Sequence, residues 1–166
     1  MNEISLESMQ PDDWEQVAAI YREGIDTSDA TFETTVPSFA LWDRTHLATP
    51  RLVARREHTI LGWAALSHVS QRSAYAGVAE VSVYVASGSR SLGIGRQLLE
   101  ALIEKSERIG IWTLQAGIFP ENIASIRLHL TCGFREVGRR ERISKLNGVW
   151  RDTILLERRS AEVGLH

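Results

Sequence analysis

The chain has 166 residues, of which 43% are hydrophobic and 24% are charged, and its formal net charge is −2 at pH 7. This size and composition predict one globular domain over residues 1–166, with a frayed tail at 160–166, and the charge does not favour nucleic-acid binding. The lone cysteine, Cys132, excludes an intramolecular disulfide and a multi-thiolate metal site. Without a leader-like segment or a long apolar run, we expect a cytoplasmic protein with no membrane contact.

The first half of the chain predicts two helices followed by a strand pair. A short strand at 4–6 precedes a helix from Pro11 to Tyr21 that Gly24 is expected to end. Residues 25–37 lack periodicity and predict a loop. A second helix is predicted at 38–48, and strands at 52–56 and 60–70 are joined by a turn at Glu57-His58.

The second half predicts strands and helices in a less regular order. Strands are predicted at 78–85, 113–118, 134–137 and 149–157, with helices from Ile94 to about Gly110 and from Asn122 to about Thr131. Strands cluster before the central helix instead of alternating with helices throughout. The sequence therefore predicts an α/β fold with a mixed central sheet and helices on both faces.

A glycine loop, Arg-Ser-Leu-Gly-Ile-Gly at 90–95, lies between a predicted strand and an amphipathic helix. Free N–H groups at a helix N-terminus bind phosphate groups. Gly93 and Gly95 allow the backbone to approach a ligand closely, and Arg90 adds a charge-assisted contact. The loop lacks the lysine of a P-loop, and Leu98 replaces the third glycine of a dinucleotide loop. The alternative is an ordinary glycine turn before a helix.

A second group of polar residues opens the helix at 122–131. Asn122, Ser125 and His129 are spaced i, i+3 and i+7, so they share one face of that helix. The simpler alternatives are that Asn122 is a helix N-cap and that His129 is a half-buried imidazole without a role.

Together these motifs resemble the GNAT superfamily of N-acetyltransferases. The pattern N-x-x-[AS]-x-x-L-[YH]-x-x-x-G-F is matched by Asn122, Ser125, Leu128, His129, Gly133 and Phe134, and the R-x-x-G-x-G loop resembles an acetyl-CoA loop. The chain looks specifically like the phosphinothricin acetyltransferase branch, through the segments 30–34, 72–75, 80–85, 125–129 and 148–152. Ser91 departs from the glycine that is frequent at its position.

The resemblance implies acetyl-CoA as co-substrate and a GNAT-type fold. It implies that the pyrophosphate binds the loop and that the pantetheine arm pairs with the strand before it. The cofactor-binding residues so implied are Val83, Tyr84, Val85, Arg90, Ser91, Leu92, Gly93, Ile94, Gly95, Arg96, Asn122 and Ser125. No metal is expected, because the five histidines show no ligand spacing.

Two residues are candidates for the proton transfers of acetyl transfer. Glu80 begins the strand that leads into the loop and is expected to act as a general base through a water; its alternative is a solubilising charge on an edge strand. His129 stands where many members of the superfamily have a tyrosine that is thought to protonate the leaving thiolate. The sequence leaves open whether His129 acts as that acid or as the base for the amine.

Loops near the predicted active site supply candidates for substrate binding. Arg72, followed by Tyr75, is expected to hold a carboxylate or other oxyanion bidentately, and Phe32 and Glu33 are expected to wall the pocket. The alternatives are a solvated arginine and ordinary loop packing.

The resemblance predicts acetyl transfer to the α-amine of a small amino acid or analogue, of the phosphinothricin, methionine sulfone or methionine sulfoximine type. The reaction would proceed by direct attack in a ternary complex, and a homodimer is expected. Two alternatives stay open. One is an acetyltransferase for a peptide N-terminus or an aminoglycoside, and the other is an acyl-CoA-binding sensor without turnover.

Overall fold

A computed structural model describes residues 3–166 as a sheet with helices on both faces. The strands are β1 (Ser5–Ser8), β2 (Arg51–Arg56), β3 (Thr59–His68), β4 (Val78–Val85), β5 (Thr113–Ile118), β6 (Arg135–Leu146) and β7 (Val149–Arg159). The helices are α1 (Trp14–Asp26), α2 (Phe39–Thr45), α3 (Ile94–Arg108) and α4 (Ile123–Thr131). Across the described residues, no helix combines the length and the apolar character that crossing a bilayer requires.

The seven strands form one mixed sheet in the order β1-β2-β3-β4-β5-β7-β6. Strands β4 and β5 pair in parallel, and the other neighbouring pairs are antiparallel. This arrangement confirms the predicted α/β class with a mixed central sheet.

Two hydrophobic clusters cover the two faces of the sheet. On one face, Leu98 and Leu102 of α3 are fully buried against Ala79 and Val81 of β4. On the other face, a second cluster packs Val17 and Ile20 of α1 and Trp42 of α2 against Val53 and Trp63, and Tyr84 of β4 lies against this cluster. Because side chains alternate along a strand, Glu80 and Ser82 point to the face of α1 and α2.

Helix α1 differs from the prediction at both ends. Its first turn, Pro11–Asp13, is a 3-10 helix, and the α-helix continues through Gly24 to Asp26. The expected end at Gly24 was wrong, because this glycine marks a close approach instead. A Cβ at Gly24 would lie 2.7 Å from ring carbons of Tyr84, so only glycine lets the helix pack there.

The closing hairpin is longer than the alternation of residues indicated. Strand β6 continues to Leu146, although Arg139, Arg140 and Arg142 break the apolar pattern. The register shifts between Arg140 and Ser144, which produces a bulge. The carboxylate of Asp152 holds this bulge by accepting the backbone N–H of Arg142 at 2.7 Å and the Nε–H of Arg139 at 2.8 Å.

Residues after Arg159 are packed, in contrast to the expected frayed tail. The N–H of Ser160 donates to the carbonyl of Trp112 at 2.8 Å, and the guanidinium of Arg159 donates to the carbonyl of Val163 at 2.9 Å. A Cβ at Gly164 would lie 2.6 Å from the Cβ of Trp112. The chain therefore follows the surface of the domain at least as far as Gly164.

Candidate active site

The candidate site is an open cavity of about 1080 Å³ where β4 and β5 separate. The two strands pair only from Val78 with Thr113 to Glu80 with Gln115. Beyond Glu80, β4 pairs with β3 alone while β5 continues beside β7. The separation opens a passage through the sheet, which the start of α3, α4 and the loop after α1 surround.

Most of the predicted site residues line this cavity. They are Phe32, Glu33, Glu80, Val83, Tyr84, Val85, Arg90, Ser91, Gly93, Ile94, Gly95, Arg96, Asn122, Ser125 and His129. Three do not, namely Leu92, Arg72 and Tyr75, and all three are exposed. The Arg72 guanidinium instead lies over the Tyr75 ring, 5.6 Å from its centroid.

The glycine loop presents free N–H groups to the cavity. The first N–H to enter the α3 ladder is that of Gln97, which donates to the carbonyl of Gly93 at 3.1 Å. The amides of Ile94, Gly95 and Arg96 therefore have no acceptor within the helix. No acidic side chain lies in this first turn, so the end of the helix is suited to a phosphate group.

Gly93 and Gly95 are required for different structural reasons. Gly93 has a φ of 77°, and a Cβ there would meet nothing within 4 Å, so the space beside it is open to a ligand. A Cβ at Gly95 would lie 3.3 Å from the side chain of Leu128, so Gly95 allows α3 to approach α4. Ser91 has a φ of 69° and adopts the left-handed backbone that glycine favours, at a cost of about 1–3 kcal/mol.

The free edge of β4 carries N–H groups that face the separation. Ala86 donates its N–H to the carbonyl of Leu61, near the start of β3. Successive N–H groups along a strand point to opposite sides, so those of Val85 and Val83 point away from β3 and toward the cavity. This is the geometry that pairing with an extended ligand requires.

Glu80 lies where the two strands part. Its carboxylate is half-buried over Gly117 of β5, at which a Cβ would lie 3.8 Å from Oε1 of Glu80. Burial raises the pKa of the Glu80 carboxyl, while the charge of Arg140 and the N–H of Gly117 act in the opposite direction. A carboxylate with a raised pKa binds a proton more readily than an exposed one.

His129 approaches the cavity from α4, which packs on the α3 face of the sheet. Its imidazole is 4% exposed, and Nδ1 lies 2.7 Å from the carbonyl oxygen of Ser125. A carbonyl only accepts, so Nδ1 carries the hydrogen and Nε2 has a free lone pair. Burial lowers the pKa of His129, with the bond to Ser125 acting in the opposite direction. The neutral imidazole therefore fits a base better than an acid.

Both the oxygen and the nitrogen of the Asn122 side-chain amide make hydrogen bonds within the protein. Its Oδ1 accepts the N–H of Ser125 at 3.2 Å, which caps α4, and its Nδ2 donates to the carbonyl of Asp29 at 3.1 Å. The N-cap interpretation therefore describes its contacts, and a direct role in cofactor binding stays a prediction.

The side chains of Tyr21 and Tyr84, for which the sequence indicated no role, form part of the cavity wall. The ring of Tyr84 stacks on Trp63 at 4.8 Å and on Tyr21 at 5.0 Å, measured between centroids. Burial raises the pKa of both phenols, while hydrogen bonding to Thr31 acts in the opposite direction. Both stay protonated at neutral pH and are able to donate.

Arg140 is a further residue that the sequence did not reveal. It pairs in register with Thr153, which lines the cavity. Cross-strand partners point to the same face, so Arg140 lies on the sheet face of Glu80. No sequence signal identifies it, because the bulge that follows Arg140 sets the register of the hairpin.

Comparison with known proteins agrees with the motifs. The model of the Acetyltransferase (GNAT) family matches residues 12–134. The phosphinothricin N-acetyltransferase of Alcaligenes faecalis is 35% identical over 162 residues, covering 90% of this chain and 79% of that protein. The L-methionine sulfoximine/L-methionine sulfone acetyltransferase of Pseudomonas aeruginosa is 31% identical over 147 residues, covering 85% and 86%.

A solved structure extends this likeness to the cofactor. A phosphinothricin acetyltransferase of the GNAT superfamily from Sinorhizobium meliloti, crystallised in complex with acetyl-CoA, has a TM-score of 0.88 and 28% identity. The match covers 98% of this chain and 91% of that one. In residues 3–166, no group of three or more histidine, cysteine, aspartate or glutamate residues is arranged to hold a metal ion.

Proposed function

Since the chain belongs to the GNAT acetyltransferase family and is an acetyl-CoA-dependent N-acetyltransferase, we propose that its acceptor is the α-amine of a small amino acid or analogue. The proposed acceptors are of the phosphinothricin, methionine sulfone or methionine sulfoximine type, as the names of its relatives indicate. The observation that supports this function best is that one cavity unites the glycine loop, the free edge of β4 and two candidate bases.

Acetyl-CoA, when bound, supplies the acetyl group as a thioester. In the proposed complex, the amides of residues 90–96 hold the pyrophosphate, and the N–H groups of Val83 and Val85 pair with the pantetheine arm. One of these N–H groups also stabilises the negative charge that develops on the thioester oxygen. The free edge of β4 thus orients the carbonyl for direct attack by the amine in a ternary complex.

The amine reaches the cavity as an ammonium and must lose a proton before it attacks. Glu80 and His129 approach the separation of β4 and β5 from opposite faces of the sheet. We propose that Glu80 accepts the proton through a water and that His129, through Nε2, supports the same transfer. The raised pKa of Glu80 moves toward the range in which a base operates near neutral pH. The lowered pKa of His129 keeps its imidazole neutral, with Nε2 free to accept a proton.

The proposed role of His129 predicts that three variants lose activity to a similar extent. We expect His129→Phe and His129→Tyr to lower kcat/KM about 100-fold near neutral pH, because a phenol with a pKa of about 10 is a poor base there. His129→Asn keeps an amide donor for the carbonyl of Ser125 but lacks a base, so it should fold normally and be equally slow. Initial rates from about pH 6 to pH 9 measure the effect. If His129→Tyr recovers most of the rate, the residue is instead the acid for the thiolate.

Arg72 is exposed and lies outside the cavity wall, and its binding of an anionic group of the acceptor stays a proposal to be tested. Arg72→Ala should raise KM for amino-acid acceptors about 10- to 100-fold, leave the Kd of acetyl-CoA unchanged, and be rescued only partly by Arg72→Lys. Arg108→Ala, which removes an exposed arginine of α3, is the control. Equal use by the native enzyme of amines with and without a carboxylate would contradict this role.

The acceptor itself is tested by following the release of CoA thiol with a panel of amines. Methionine sulfone, methionine sulfoximine and phosphinothricin should give the highest kcat/KM, and the corresponding compounds without an α-amine should give none. Faster turnover of a peptide N-terminus or an aminoglycoside would replace the proposed acceptor class. Tight binding of acetyl-CoA without turnover of any amine would indicate an acyl-CoA sensor.

We also propose a single-domain cytoplasmic enzyme that forms a homodimer. The hairpin of β6 and β7 supports an association between copies of the chain, because it exposes several large apolar side chains. These are Val137, Ile143, Val149 and Trp150, and the last two are 61% and 54% exposed.

A further inference from the structure

We propose that Arg151 of β7 is a positioning residue that fixes the loop after α1 and thereby sets the affinity for the acceptor amine. This inference rests on the proposed function, since it concerns the acceptor side of the same cavity. The loop, residues 27–38, connects α1 and α2 without regular secondary structure. Its shape therefore depends on contacts with other parts of the chain.

Both terminal nitrogens of the Arg151 guanidinium donate hydrogen bonds, and two of these bonds go to the loop. One terminal nitrogen, Nη1, donates to the carbonyl of Ser28 at 2.8 Å, and the other, Nη2, donates to Oδ1 of Asp29 at 2.9 Å. Nη2 also lies 3.3 Å from a carboxylate oxygen of Glu121. The guanidinium lies over the ring of Phe119, 4.1 Å from its centroid. A planar fork with several donors is needed to satisfy these groups together.

The residues that follow the clamped segment form the acceptor side of the cavity. Thr31, Phe32 and Glu33 line it, and Phe32 packs edge-on against Phe119, with 4.9 Å between ring centroids. Phe119 thus contacts both the Arg151 guanidinium and Phe32. A displacement of Ser28 and Asp29 would move this wall relative to Glu80.

A second tie reaches the same point of the loop from α4. Asn122 donates from Nδ2 to the carbonyl of Asp29 while its Oδ1 caps the helix that carries His129. The loop is therefore held both by β7 and by α4 at neighbouring residues. Arg151 completes this arrangement, because its fork binds the loop carbonyl and carboxylate that Asn122 leaves free.

The position of Arg151 separates its role from the stability of the fold. It belongs to neither hydrophobic cluster, and its ion pairs are with the exposed carboxylates of Asp29 and Glu121. Loss of the fork should therefore change the loop more than the thermal stability of the domain. The side chain is nevertheless only 15% exposed, so its hydrogen bonds are better protected from water than those of a solvated ion pair.

The test compares Arg151→Met with a matched control, Arg135→Met. The methionine keeps an apolar side chain over Phe119 but loses every donor, and the control removes an ion pair to Glu157 in the same hairpin, away from the cavity. With methionine sulfone as acceptor, we expect Arg151→Met to raise KM about tenfold or more. The Kd of acetyl-CoA and the kcat at saturating amine should change less than about threefold, because Arg151 acts only on the binding of the amine. Arg151→Lys should rescue KM only partly.

Two further measurements separate a loop clamp from a general structural effect. Amide hydrogen exchange should accelerate over residues 28–33 in Arg151→Met and not in Arg135→Met, while α3 stays protected. Asp29→Ala should raise KM as well, and the double variant should be less than additive because both residues act through one contact.

Several results would overturn the inference. The first is an unchanged KM for the amine in a folded Arg151→Met. The second is a loss of acetyl-CoA affinity as large as the loss of amine affinity. The third is that the effects of Asp29→Ala and Arg151→Met on KM add in the double variant. If the native enzyme acetylates none of the proposed amines, the proposed function fails. Exchange at residues 28–33 then still decides whether Arg151 holds the loop.

Discussion

We expect Gly93→Asp to weaken the binding of acetyl-CoA about 10- to 100-fold while the protein keeps its fold. Gly93 lies at the N-terminus of α3, beside the free amides of Ile94, Gly95 and Arg96. A carboxylate there would repel the pyrophosphate and would compete for the same N–H groups. A Cβ at Gly93 meets no atom within 4 Å, so the new side chain has room in the free protein. Isothermal titration calorimetry with acetyl-CoA measures the loss.

Gly93→Asn is the matched control for this prediction. Asparagine has almost the same shape as aspartate and tolerates the positive φ of this position, but it carries no charge. Its affinity for acetyl-CoA should stay within about threefold of native, since only steric effects and strain remain. A folded Gly93→Asp with native affinity would show that the pyrophosphate does not bind this loop.

We expect Glu80→Gln to lower kcat about 100- to 10,000-fold, which is the usual contribution of a general base. Glutamine keeps the size of the side chain and its contact with the N–H of Gly117, but it has no basic oxygen of comparable strength. The affinity for acetyl-CoA should be unchanged, because the residue begins the free edge of β4 and does not belong to the loop. Pre-steady-state acetyl transfer and calorimetry distinguish the two effects.

Glu136→Gln provides the control, since it removes an exposed carboxylate of β6 outside the cavity. Native kcat in Glu80→Gln at every pH would remove Glu80 from the mechanism. The same result in Glu80→Gln and Glu136→Gln would show that only the net charge of the protein matters.

The pH profile offers an independent check of the electrostatics around Glu80. A base works when it is deprotonated, so kcat/KM should rise with pH through the pKa of Glu80. Burial raises that pKa, and the positive charge of Arg140 lowers it. Arg140→Gln should therefore destabilise the carboxylate, raise the pKa further, and move the acidic limb of the profile to higher pH.

The separation of β4 and β5 suits the proposed reaction, in which one cavity serves two substrates. The face of β4 that carries Val81 packs on α3, whose N-terminus is the proposed phosphate site. The opposite face carries Glu80 and Tyr84 and lies under the loop after α1 (residues 27–38). In the proposed complex, a passage through the sheet would allow a cofactor held on one face to present its acyl group to an amine held on the other. Both His129 and Glu80 line this cavity, from the two faces of the sheet.

The residues proposed for the cofactor side of the site were recognisable in the sequence because their determinants are local. A strand, a glycine loop and a helix follow one another directly, so the free amides proposed to bind phosphate are placed by residues 90–96 themselves. The shared face of Ser125 and His129 follows equally from helix periodicity. Residues of the strand, of the glycine loop and of this helix face line one cavity, and their roles in cofactor binding stay a prediction.

The residues around the proposed acceptor side were harder to recognise in the sequence, because the contacts that position them join distant parts of the chain. Arg72 and Tyr75 have suitable chemistry, but they lie outside the cavity wall and contact each other. Arg140 reaches the face of Glu80 only through the pairing of β6, β7 and β5, and Arg151 reaches Asp29 across 122 residues. Neither contact leaves a periodic signal.

By itself, the sequence determined the order of the elements, the mixed sheet, the glycine loop proposed to bind phosphate and the identity of both candidate bases, because spacing along a strand or helix decides which residues share a face. The tertiary structure decided where β4 leaves β5, where β6 ends, why Gly24 is a glycine, and which hydrogen atom His129 retains. It also decided which residues hold the loop after α1. These features depend on long-range strand register, on the close approach of side chains from separate elements, and on burial, none of which a local pattern of residues specifies.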